Sequence, residues 1–190
     1  MVQSDPAPSS GSPLITVLEP APDHTPGIGH YIAQLTETRA ELLRPLEGLS
    51  PEALSWHPTD EVESIGTQLL HVAAVEWSWV FEEIFRRSSD EYDGWEEAMP
   101  IRAGVAQVSG QPLSYFTKRL ERVRTDVVAA LASISDTDLG RLEADASPPP
   151  GVAAETRLYS IDWILFHLVH HGAHHAGQVE LLVRLLPTAL

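Results

Sequence analysis

Nine histidines and no cysteine define the side-chain chemistry open to this chain of 190 residues. Five of the nine fall in one nine-residue window, His167-Leu168-Val169-His170-His171-Gly172-Ala173-His174-His175. The sequence runs on through Ala176-Gly177-Gln178-Val179 into a leucine-rich turn, so the cluster is internal and is not a tag. Histidine is a middling helix former, and five of them weaken a helix without an evident packing gain. Neutral imidazoles at this density suit a divalent metal. The lack of cysteine excludes a disulfide scaffold, a thiolate zinc site and a cysteine nucleophile belonging to the chain itself. Any thiol used here comes from outside.

Helix geometry narrows the choice of imidazoles. At roughly 100° per residue, side chains four apart share a face and can share a metal. Three pairs have that spacing: His167/His171, His170/His174 and His171/His175. The apolar stripe of Ile161, Ile164, Leu168, Val179, Leu182 and Leu186 centres roughly 90° from His167 on the same wheel. His175 falls inside the stripe and His171 at its edge, whereas His170/His174 points toward Trp163 and Leu181. His171/His175 is therefore the pair expected to face a protein interior.

Two imidazoles do not complete a catalytic zinc site, which takes three protein ligands and keeps a position for water or substrate. His71 is the candidate third ligand. It stands alone in the most apolar helical segment, with small or polar helical neighbours in Thr67, Gln68, Ala74, Val75 and Ser78. A lone mid-helix histidine is ordinarily a hydrogen-bonded core residue, so spacing alone leaves both readings open for it. There is no HExxH motif to supply a metalloprotease base.

Four segments carry the apolar period that would position these residues. The first covers Gly27 to Gly48, with Ile28, Ile32, Leu35, Leu42 and Leu46 on its face and Pro45 distorting its last turn. The second runs from Ser64, a plausible N-cap, to Arg87, with an apolar load dense enough for burial on more than one side. The third covers Pro112 to Ile134. The fourth starts at Ser160 and ends before Pro187. Residues 49–60 read as a turn-rich connector with one helical turn after Ser50. Residues 88–111 read as a long acidic loop, and residues 136–159, with SPPPG at 147–151, as an extended connector. Neither long connector shows the alternation of a half-buried strand. The expected fold is all-α, a four-helix bundle with long inter-helix connectors.

The formal net charge of −15, from 12 basic and 27 acidic residues, opposes phosphate backbones and anionic membranes, so no nucleic acid and no membrane partner is expected. No apolar run reaches about 18 residues, and residues 1–20 lack a basic start and apolar stretch, which makes a cytoplasmic protein the expectation. Pro, Ser and Gly dominate the beginning of the chain. Residues 1–22 therefore read as a flexible N-terminal extension and residues 23–190 as the bundle domain.

Leu54-Ser55-Trp56-His57-Pro58, Ser64-Ile65 followed by His71, and the late His171-Gly172-Ala173-His174-His175-Ala176-Gly177-Gln178 together resemble the DinB/YfiT-like metalloenzyme family over residues 27–186. The resemblance implies an all-α bundle in which one histidine of the second helix and an H-x-x-x-H pair of the last hold a divalent metal. Carried onto this chain, the ligands are His71, His171 and His175. It further implies zinc or nickel, a homodimer, and transfer of a low-molecular-weight thiol to an electrophile. Ala176 stands where the family has a bulky basic residue after the double histidine, so any role of that side chain does not transfer.

Three functions remain in view: a metal-dependent thiol S-transferase, a non-catalytic metal-binding stress-response protein, and a metal-dependent hydrolase. His174 and Gln178 share a face near His171 and could orient a ligand or sit at the surface. The basic run Lys118, Arg119, Arg122 and Arg124 could meet an anionic thiol, although a solvated helix face is its ordinary reading. Trp56, Trp77, Trp79 and Trp163 read as packing anchors.

Overall fold

The computed structural model describes residues 16–148 and 151–188. Four long helices carry the fold: α1 (Pro26–Leu43), α3 (Ile65–Trp77), α6 (Leu113–Leu131) and α7 (Ile161–Leu185). Shorter ones lie between them: α2 (Pro51–Ser55), α4 (Trp95–Ala98) and α5 (Pro100–Ala103). α1 packs along α7, and α3 packs on both α6 and α7, so α3 is the central element. No described helix is long and apolar enough to cross a membrane.

Helix starts follow the expected capping chemistry. Ser50, Ser64 and Ser160 each accept a backbone N–H three residues on, from Ala53 at 3.1 Å, Thr67 at 3.2 Å and Trp163 at 3.1 Å. Each bond satisfies one of the donors that a helix start leaves unpaired. Pro45 does end the first helix early, and Arg44–Leu46 tighten into a 3₁₀ turn. Every residue of α3 except His71 is buried, as its apolar load requires. At Gly66 a Cβ would stand 2.6 Å from Cζ of Phe116, so only glycine lets α6 approach α3 this closely.

Three features depart from the sequence reading. The second helix is not regular to Arg87: from Ser78 to Ile84 it widens to π-helical hydrogen bonding, and Arg86 then closes it at φ +56°. The loop expected over 88–111 contains α4 and α5, whose single turns are too short to display a period. The connector over 136–159 contains a small antiparallel hairpin, β1 (Leu142–Ala144) with β2 (Leu158–Ser160), in which Leu142 pairs with Ser160. Strands of three residues cannot show alternation.

Of the extension expected over 1–22, residues 1–15 lie outside the described residues, as do Pro149 and Pro150 of the SPPPG stretch. Residues 16–20 have no regular structure, and at Ala21 the chain docks on the bundle by donating its N–H to the Gly29 carbonyl at 3.0 Å.

Candidate metal centre

His71 projects from the middle of α3, and His171 and His175 project from successive turns of α7 across from it. One ring nitrogen from each lies within 4.8 Å of the other two. Nε2 of His171 is 3.3 Å from Nε2 of His71 and 3.2 Å from Nε2 of His175. These two contacts cannot both be hydrogen bonds. A neutral imidazole Nε2 either donates one proton or offers one lone pair, so His171 satisfies one neighbour and meets the other like against like.

A cation at the common point removes that conflict. Metal–nitrogen bonds of about 2.0–2.1 Å at tetrahedral angles place neighbouring nitrogens about 3.3–3.4 Å apart, close to the two separations that His171 makes. The protonation state also fits, because burial and then the adjacent rings of His175 and His71 push His171 down to about 2. Burial followed by the proximity of His71 brings His175 to about 4. Burial lowers His71 as well, against a smaller opposing effect of the Ala98 backbone. Three neutral imidazoles with lone pairs converging on one point are what a divalent ion requires of its ligands.

One of the three rings is anchored from outside the cluster. Nδ1 of His175 meets Oε1 of Gln68 at 3.2 Å, which directs its Nε2 inward. On the far side of His171, a cavity of about 10 Å³ is lined by His171, Arg39, Glu76 and Arg124 among others. Glu76 is buried there and accepts from both arginines: Arg39 Nη2 at 2.5 Å, Arg124 Nε at 2.5 Å and Arg124 Nη2 at 2.9 Å. One carboxylate thus ties α1, α3 and α6 together behind the histidines.

On its open side the cluster faces a cleft of about 540 Å³ whose walls include Glu63, Gln68, Met99, Arg102 and Gln178. Arg102 is the only permanent cation among its lining residues. Gln178 reaches this cleft and donates to Nε2 of His174 at 2.9 Å, so His174 is held beside the cluster without joining it.

The remaining histidines of the window lie apart. His170 and His174 are exposed, in line with the helical wheel. His167 is stacked on Trp163, with ring centres 5.0 Å apart, and against Trp79 at 4.7 Å. Lys118, Arg119 and Arg122 border a different cleft, of about 430 Å³, and do not line the one over the histidines. The fourth member of that run, Arg124, points inward to Glu76.

Sequence reasoning singled out Gln68 only as a polar neighbour and gave no part to Arg39. The helical spacing of Gln68 three residues before His71 was the available signal for the first. Nothing local could reveal the second, because Arg39 and Glu76 come from different helices 37 residues apart.

No curated protein matches the chain. A family model described as mycothiol-S-transferase matches residues 31–186, from within α1 to just past the end of α7. With nearly the whole bundle and all three converging histidines inside that span, the chain belongs to the mycothiol-S-transferase family, a family of the DinB/YfiT-like kind.

Proposed function

We propose that the protein is a metal-dependent thiol S-transferase, with His71, His171 and His175 as the metal ligands and mycothiol as the thiol. The observation that carries the reading is the convergence of three imidazole nitrogens, all within 4.8 Å of one another, beside an open cleft. Zinc suits three neutral imidazoles and an open position, and nickel is the second choice by ligand chemistry. A divalent ion held there supplies a Lewis-acid position that stabilises a bound thiol as its thiolate at neutral pH.

The chain's own side chains do the rest. His71, His171 and His175 provide three neutral donors, and Gln68 orients one of them. The cleft admits the electrophile beside the histidines, and Arg102 offers its guanidinium to an anionic part of that molecule. In the transfer, sulfur forms a bond to the electrophilic carbon. The thiol proton passes to solvent, and the displaced group leaves with its bonding electron pair. A protein without cysteine needs the external thiol for such chemistry. The exposed apolar side chains of Phe166, Leu181 and Leu185 on α7 support the homodimer that the family resemblance implies.

The test begins with metal content of untagged protein. Wild type is expected to carry near-stoichiometric divalent metal, and the His171→Ala/His175→Ala variant little. Cobalt-substituted wild type should change its absorption on titration with mycothiol, and supplying an electrophile should give a product with a new C–S bond. Absence of metal after reconstitution with zinc or nickel overturns the proposal. A closed four-ligand site without a thiol response would mark a structural metal, and ester or amide turnover without thiol would mark a hydrolase.

A further inference from the structure

Glu82 is 5 % exposed, and its two carboxylate oxygens differ sharply in their surroundings. Oε2 accepts from the Ser78 hydroxyl at 2.6 Å, whereas Oε1 is buried with no hydrogen-bond partner among the described residues. Leaving a buried carboxylate oxygen without a donor is costly, because its lost hydration is not replaced, so such an atom in a folded protein calls for an explanation. Neither the metal ligands nor the ion pairs described above involve it.

Its position supplies one. Glu82 and Ser78 form part of the wall of a cleft of about 520 Å³, bounded opposite by Trp95, Met99 and Arg102. Met99 and Arg102 also line the cleft over the histidines, so the two spaces meet along a shared border. His71, Ser78 and Glu82 follow one another at intervals of seven and four residues. At about 100° per residue the seven-residue interval returns Ser78 to nearly the face of His71, about two turns along α3, and Glu82 is tied to Ser78 by their hydrogen bond within the π-helical stretch. The π-helical widening begins at Ser78, on this same row, and such widenings recur at functional sites.

The chemistry of this second cleft is specific. Trp95 presents an indole held by its Nε1–H on the Ser89 carbonyl at 3.2 Å. Around it stand carboxylates, serine hydroxyls and one guanidinium. A flat apolar surface among acceptors and donors fits a neutral, hydroxylated body, whose O–H groups donate to carboxylates and whose oxygens accept from Arg102.

We propose that this cleft is the subsite for the body of the thiol cosubstrate, a hydroxylated group that reaches the incompletely partnered carboxylate of Glu82 at the cleft wall while its sulfur reaches the histidines. The proposal rests on the thiol-transferase reading for the identity of its ligand, and makes Glu82 the residue that separates such a thiol from a bare alkyl thiol.

The probe is mycothiol methylated on sulfur, which cannot form a thiolate, bound to the metal-free full-length protein and followed by calorimetry. Glu82→Gln is expected to weaken its binding at least tenfold. Ala103→Trp, at an exposed position on the rim, should abolish binding by filling the cleft and guards against a folding defect in the buried variant. Ethanethiol titrated into cobalt-substituted protein should give the same response, within twofold, in wild type and both variants. Unchanged binding of the methylated probe in both variants overturns the subsite. No binding of it to wild type, with a normal cobalt response to ethanethiol, also overturns the subsite and leaves the transferase reading standing. Glu82-dependent binding without any cobalt response supports the subsite and overturns the metal–thiol reading.

Discussion

Arg124 grips Glu76 with two bonds, Nε to Oε1 at 2.5 Å and Nη2 to Oε2 at 2.9 Å, although the two residues belong to different helices. Arg39 adds a third bond to the same carboxylate, which leaves two cations around one anion in a mostly dry place. The side chains of Arg39 and Arg124 are 12 % and 16 % exposed, and that of Glu76 is 4 % exposed. An assembly of this kind is no great source of stability as a whole, because desolvation offsets much of the attraction. Removing one partner is another matter, since the charges left behind stay buried.

Glu76→Ala is therefore expected to destabilise the fold by about 3–5 kcal/mol. A denaturant titration of the metal-free protein measures this. Arg39→Met/Glu76→Met/Arg124→Met should recover much of the loss, since apolar groups of similar volume need no counter-charge.

Acid should unfold the metal-free protein by way of the histidines. His171 lies at about 2 and His175 at about 4 in the folded state, both below the ordinary 6.5 of the unfolded chain. The unfolded state therefore binds more protons between these limits, so stability falls as pH falls below 6.5. Each of the two histidines adds a slope of up to about 1.4 kcal/mol per pH unit in that window. Melting temperatures recorded from pH 8 to 4.5 should show the decline in wild type and a much shallower one in His171→Ala/His175→Ala.

Gln68→Leu keeps the volume and removes the hydrogen bond to Nδ1 of His175. Metal affinity, read by competition with a chromophoric chelator, should drop roughly 10–100-fold while helix content is unchanged. An affinity equal to that of wild type would show that packing alone orients the ring.

Much of this architecture is readable from residue order. The four long helices announce themselves through apolar spacing and through Ser64, Ser160, Gly48 and Pro187 at their limits. The bringing together of His171 and His175 on one interior face follows from the wheel, whereas spacing alone leaves His71 open between ligand and core residue, and only the family resemblance joins it to the pair. What escaped has physical reasons. α4, α5, β1 and β2 are shorter than the periods that would reveal them. The π-helical stretch is hidden because Val80, Phe81, Ile84 and Phe85 are apolar at nearly every phase, which leaves no pattern to break. The Arg39–Glu76–Arg124 assembly and the clefts meeting at Met99 and Arg102 depend on which surfaces of α1, α3, α5 and α6 meet, and no local signal encodes that.

Ser160 is at once the last residue of β2, paired with Leu142, and the cap of α7 through its bond to Trp163. The hairpin thus indexes the rotation of α7 about its own axis, much as a key sets the angle of a shaft. Adding or removing one residue between Ser160 and His171 would turn both α7 histidines by about 100° away from His71. The stretch between β1 and β2 sits upstream of the index, so changes in its length leave the phase of α7 untouched. An added residue is thus without effect on this phase before Ser160 and breaks it anywhere from Ser160 to His175.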